Sequence, residues 1–484
     1  MKQTSVLALA LGVFSMVTIQ GYSQNALVEW NNLNKEVTDL CLAGKYDRAV
    51  VLAQKSLKIA EMNVGKAHPA VGTSLNNLAA IYMAQHEYAK AEPLLKRTLV
   101  ICEESVGHDH PDVAMSVICL AELYKKKREH TKAEPLYKRA LAIREKALGP
   151  DHADVATCLN SLAGLYLSQG EYAKADPLFK RALAIREKAL GPFHADVATC
   201  LNNLALLYRI QGEYADAEPL FKRSLEISEK ALGPDHAYVA TTLANLAELY
   251  KIGREDIKAE RLFRRALTIR KKALGLSHPD VAASLSNLAA LYTIRGNYAK
   301  AEQCLKISVS ICDKALDPDH PDMVSILNNL GALYVAKDEY AKAEPLLKRA
   351  LAISAKAYGP AHPDSAAILD NLGSLYTTQG EYAKAEPLLE RALDIGERAL
   401  DPDHPDVATY LNNLAKLYAT QGIFAKAEPL YKRSLEVWEK ALGPDHPNVA
   451  TILENLADLY RNTERKAEAD TLDQRATKIR ATHR

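Results

Sequence analysis

Residues 151–166, DHADVATCLNSLAGLY, bring His152, Asp154 and Cys158 within seven positions. Imidazole, carboxylate and thiolate are zinc donors and the parts of nucleophile–base pairs. A centre of either kind needs one set of residues, placed once. This set is not placed once. Histidine returns at 68, 110, 152, 194, 236, 278, 320, 362, 404 and 446, always 42 residues apart. Aspartate recurs with it at 112, 196, 280, 322, 364 and 406. Cysteine recurs only at Cys200, and the other units carry Ser, Thr, Ile or Tyr there. The pattern predicts a structural marker at the start of a repeated element. It predicts no catalytic residue, no metal and no cofactor.

The element that carries the marker is helical. Counting from the histidine as zero, apolar residues fall at +3, +7, +10, +11 and +14, as in Val155, Leu159, Leu162, Ala163 and Tyr166. Steps of three and four describe one face of a helix, here called helix A. Gly170 at +18 interrupts it, and Tyr172, Ala175, Phe179, Ala182, Leu183 and Leu190 continue as helix B, which stops at Gly191-Pro192. Proline or alanine follows the histidine, and an acid in the first turn suits the helix dipole. Position +11 is Ala or Gly and +23 is Ala in all ten units. Such small side chains predict close helix–helix approach. An acid at +24 and a base at +28, as in Glu92–Lys96 and Glu344–Lys348, predict a solvated face of ion pairs. Proline at +25 in seven units, for example Pro177 and Pro345, predicts a kink in helix B.

A strict period without insertions predicts an α-solenoid, not separate domains. The units at His152 and His194 are identical at 32 of 42 positions. The 484 residues carry a formal charge of +1, so no global field favours nucleic acid or an anionic membrane. Residues 1–23 differ from the rest. Lys2, the uncharged run Ser5–Ile19 and the small residues around Ser23 fit a signal peptide cut after Ser23. The expectation is an exported chain, periplasmic or secreted, with no membrane span once the leader is gone; a cytoplasmic chain is the alternative. The seven cysteines form no C-x-x-C pair and are expected to be core residues rather than a disulfide framework.

The stretches LNNLALLY (201–208), QGEYADAEPLFKRSL (211–225) and KALGPDH (230–236) resemble tetratricopeptide repeats, in the 42-residue form found in kinesin light chains and many bacterial proteins. The resemblance implies an all-α, right-handed superhelix of about eleven antiparallel helix pairs. Residues 24–67 would form a degenerate N-terminal capping pair, 68–445 nine repeats, and 446–484 a C-terminal capping repeat.

The resemblance also implies that helix A lines a concave groove, with position +9 facing it. Asn occupies +9 at Asn77, Asn203, Asn245, Asn287, Asn329, Asn371, Asn413 and Asn455; Cys119 and Ser161 are the exceptions. An amide donates and accepts, so a ladder of them could bind the backbone of an extended peptide. Inter-repeat bonding by the same amides is the competing reading. At +15, Lys125, Arg209 and Lys251 make the N-terminal half basic, and Lys125–Arg128 is a basic run, which suggests an acidic or carboxylate feature in the ligand. Glu122 and Glu248 lie one turn away and could neutralise it. No nucleophile elbow, P-loop, H-E-x-x-H or dinucleotide turn is present. The expected function is a monomeric, non-enzymatic scaffold for a protein or peptide partner. A cytosolic adaptor like the kinesin light chain and a self-assembling solenoid are the alternatives.

Overall fold

The computed structural model describes residues 24–482 except 43, 317 and 401. The expected leader, 1–23, lies outside the described residues. Twenty-two helices follow one another from Gln24–Leu42 to Lys466–Thr482, paired as antiparallel hairpins, with no strand among the described residues. In the quoted unit helix A is Ala153–Ser168 and helix B is Tyr172–Leu190.

The recurring histidine is the N-cap of helix A in nine of the ten units; in the unit at His320 the helix starts later, at Met323. Its backbone is extended, and its Nδ1 accepts the amide N–H two residues on, as His152 does from Asp154 at 3.1 Å. All ten units make this bond, at 3.0–3.3 Å. The imidazole lone pair stands where an Asn or Asp side-chain oxygen usually does, satisfying an otherwise orphaned first-turn donor. The capping bond accounts for the recurrence of histidine at this position.

The turn between helices A and B needs a left-handed residue at +18. Gly170 supplies it at φ +76°, but His86, Arg128, Arg254, Asp338 and Glu464 adopt φ near +60° at the same position. A non-glycine residue costs about 1–2 kcal/mol there. Below the turn, the +11 and +23 positions are fully enclosed, and Tyr137, Phe179, Phe221 and Phe263 of helix B fill the hairpins. Where +11 is Gly331 or Gly373, Leu347 or Leu389 occupies the space a Cβ would need. The proline at +25 does not end helix B: it is the sixth helical residue in each of the seven cases, and the helix runs on. The cysteines are all free, six of them buried and Cys304 half-buried. Burial pushes the Cys41, Cys119 and Cys312 thiols up to about 12, so they act as apolar core groups.

Helices A of successive units also touch one another, which sets them on the inner radius of the superhelix. The solenoid then closes on itself. The A–B turns of the first superhelical turn meet the junctions between helix B of one unit and helix A of the next, about six units later. A Cβ on Gly44 would lie 3.3 Å from the His278 ring, and one on Gly212 would lie 3.1 Å from the Ala441 carbonyl. His86 packs edge-on against His320, with ring centroids 5.0 Å apart. The Arg128 guanidinium lies within electrostatic reach of Asp364 and Tyr358, and His446 Nε2 lies 2.9 Å from the Ile252 carbonyl. These contacts stack one superhelical turn on the next.

Candidate functional site

The inner-face asparagines are placed by the helix A register, and most of them bond across units. Asn245 Nδ2 donates to Asn202 Oδ1 at 2.9 Å, from +9 of one unit to +8 of the unit before. Asn371 donates to Asn328 (2.9 Å), Asn455 to Asn412 (2.8 Å), Asn413 to Asp370 (2.8 Å) and Asn329 to Ser286 Oγ (2.9 Å). Asn77 reaches Asn34 of the N-terminal pair at 3.0 Å, which puts that degenerate pair in the same register. Six of the eight predicted groove amides therefore hold neighbouring units together. Asn203 and Asn287 do not. The residue facing Asn287 is Ala244, which has no side-chain acceptor, and the Asn160 amide faces Cys200 Sγ at 3.0 Å instead of Asn203. Both are half-buried, with no hydrogen-bond partner among the described residues.

The predicted basic subsite is largely neutralised. Lys125 pairs with Glu122 at 2.6 Å and Lys251 with Glu248 at 2.6 Å, each on its own helix. The Lys125–Arg128 run disperses as well: Lys127 pairs with Glu92 and Glu129, and Arg128 is spent at the contact between superhelical turns. Arg209 differs. It is half-buried, its Nε is enclosed without a hydrogen-bond partner, and it shares helix Ala195–Gln211 with Asn203.

The acid at +24 does more than decorate a solvated face. It accepts the Tyr +14 hydroxyl of the next unit in nine consecutive cases, for example Tyr250 to Glu218 at 2.8 Å and Tyr376 to Glu344 at 2.8 Å. Lysine at +22 stacks on the same tyrosine, as Lys174 does over Tyr166 at 5.3 Å. The Lys127 and Lys96 ammoniums and the tyrosine hydroxyl hold Glu92 down at about 2. This second inter-unit ladder was missed in the sequence, although the invariant acid and tyrosine signalled it. Asp370 is another group that only the fold reveals. It occupies the +8 position, usually polar and uncharged, and burial pushes its carboxyl up to about 7.

Matches to the tetratricopeptide repeat run without a gap from residue 37 to 482: 37–70 and 71–112, then overlapping windows from 112–188 to 421–482. The chain belongs to the tetratricopeptide repeat family. It is 39% identical over 66 residues to RxLR effector protein SFI4 of Phytophthora infestans (strain T30-4), a match covering 14% of this chain and 20% of that one. The chain thus spans about a fifth of that relative's length. Among solved structures, a Rap protein complexed with Competence and Sporulation Factor superposes with a TM-score of 0.54 at 15% identity, covering 77% of this chain and 98% of that one, a likeness of fold. Nearly identical TPR-like repeats from Podosopora anserina, assigned to a kinesin light chain, match 42% of this chain and 97% of that one at 27% identity and a TM-score of 0.37. BtubC (BKLC) from P. vanneervenii matches 49% and 92% at 24% identity and a TM-score of 0.39. No described helix is long and apolar enough to cross a membrane.

Proposed function

We propose that this chain is a non-enzymatic scaffold that holds an extended segment of a partner protein along the inner face of helices A. The observation that carries the reading is a division of labour within one ladder. Six asparagines spend their amides on the frame, whereas Asn203 and Asn287 have amides available to a ligand. A half-buried amide with no partner in the frame can donate to and accept from a peptide backbone. Arg209, on the same helix as Asn203, supplies the charge for an acidic side chain or a terminal carboxylate of the ligand.

The test is a displayed peptide library selected on the purified chain, followed by Kd measurements on the selected peptide. Asn203→Ala, Asn287→Ala and Arg209→Glu should each weaken binding at least about tenfold, equivalent to ~1.4 kcal/mol. Asn371→Ala should lower stability and leave the Kd within about twofold, since its cost of about 0.5–1.5 kcal/mol falls on the frame. Equal affinity in all four variants would remove the groove reading. Export belongs to the same proposal, supported by the apolar run at 5–19 between Lys2 and Ser23. Mass spectrometry of the chain from its native cell should give Gln24 as the first residue; an intact N-terminus would overturn export.

A further inference from the structure

We propose that His86, His320 and Asp322 form a binding site for a borderline transition-metal ion of the Zn2+ class, which staples one superhelical turn to the next. One nitrogen of each imidazole and one carboxylate oxygen all lie within 4.8 Å of one another. His86 Nε2 stands 4.0 Å from Asp322 Oδ1, and His320 Nδ1 stands 3.8 Å from Asp322 Oδ2. Three donors around Zn2+ at ~2.0–2.2 Å sit ~3.4 Å apart in a tetrahedron, with water as the fourth ligand. The cluster therefore needs to contract by about 1 Å, which side-chain rotation can supply. Two imidazoles and one carboxylate suit zinc and its neighbours, not Mg2+ or Ca2+, which take sets of oxygens.

The ligands come from opposite sides of the seam, 234 residues apart in sequence. His320 and Asp322 belong to the start of a repeat. His86 belongs to the A–B turn of a unit six repeats earlier. Its presence there is a second, independent observation. Position +18 requires a left-handed backbone, nine of the sister positions between 128 and 464 carry Gly, Arg, Asp or Glu, and His86 alone puts an imidazole there, at φ +59°. The strained backbone aims the ring into the cluster, where both the His86 and His320 Nε2 atoms are buried.

The surroundings also fit. Tyr88 Oη lies 2.8 Å from His86 Nδ1. A proton on Nδ1 shared with that oxygen leaves the Nε2 lone pair directed towards Asp322, as the outer shell of a metal site does. His320 Nδ1 accepts the Asp322 amide N–H at 3.2 Å. A neutral imidazole has one lone pair, so metal binding through His320 exchanges this capping bond for a metal bond. No proton is released, because both rings bind in their neutral form.

The full chain, stripped with chelator, is titrated with Zn2+ against a chromophoric competitor, and with Co2+ while recording its visible d–d bands. One equivalent per chain should bind, with tetrahedral Co2+ bands and no competition from Mg2+ or Ca2+. His86→Gly should weaken that equivalent at least about 100-fold and still fold, since glycine is the common residue at +18. His320→Asn keeps a capping oxygen and should lose the site as well. Tyr88→Phe should weaken it about tenfold. His152→Asn, at a repeat histidine outside the cluster, should change nothing. With Zn2+ bound, amide exchange should slow at both 86–90 and 318–324. No bound equivalent would overturn the site, as would an equivalent that survives both His86→Gly and His320→Asn, the mark of adventitious surface histidines. Slowed exchange on one side of the seam only would overturn the staple.

Discussion

Asp370→Asn should stabilise the protein, and increasingly so as the pH rises. Asp370 lies on helix Pro363–Thr378, is 5% exposed, and receives one bond, from Asn413 Nδ2 at 2.8 Å. Its other oxygen is buried without a hydrogen-bond partner. Desolvation dominates over that one bond and pushes the carboxyl from an ordinary 3.8 up to about 7. The folded state therefore prefers the protonated acid. Its contribution is fully present below about 3.8, declines as the pH rises through the folded value, and becomes a penalty once both states are ionised. Each tenfold in proton affinity is 1.36 kcal/mol, so the penalty above pH 7 approaches about 4 kcal/mol. Asparagine is the residue at this position in the units at 320 and 404, where it accepts the same bond at 2.9 and 2.8 Å. Asp370→Asn should thus match wild type near pH 4 and gain about 2–4 kcal/mol at pH 8. Because solenoids can open locally, amide exchange across 363–378 is the primary assay, with denaturant midpoints alongside. An advantage that does not grow between pH 5 and pH 8, or a loss of stability at pH 8, would refute the assignment of a buried, uncompensated carboxyl.

The N-cap histidines give a pH dependence of opposite sign. Burial lowers His278 and His68 below their ordinary 6.5, with Asp280 opposing and Arg270 assisting at His278. The neutral ring accepts the capping N–H, so their stability is full above about 6.5 and falls as the pH drops through the lowered folded value. His278→Asn keeps a capping oxygen and should flatten the wild-type loss of midpoint between pH 7 and pH 5; an unaltered slope would exclude the cap as its source. Ala217, fully enclosed at +23, tests the packing. Ala217→Leu should cost ~1–3 kcal/mol by overpacking, read as a lower unfolding midpoint.

Local periodicity made the helix pairs legible, because +3, +7, +10, +11 and +14 record one buried face within a single unit. The ladders were half legible. The eight asparagines at +9 stood out as a row, but their acceptors sit at +8 of the preceding unit, 43 residues away, as Asn202 does for Asn245. An offset of one position between neighbours follows from how the helices stack, and no single unit contains it. The seam was hardest to read. It depends on small rotations accumulated over about six units, so no motif spans it. Its trace in the sequence is faint, because glycines meet it as well, at Gly44 and Gly212. Two of the first three A–B turns, at His86 and Arg128, carry residues that meet the start of a later unit. Exceptions to the repeat, rather than the repeat itself, identify where this superhelix does something its units do not: Asn203 and Asn287 outside the amide ladder, Asp370 within it, and His86 at the seam.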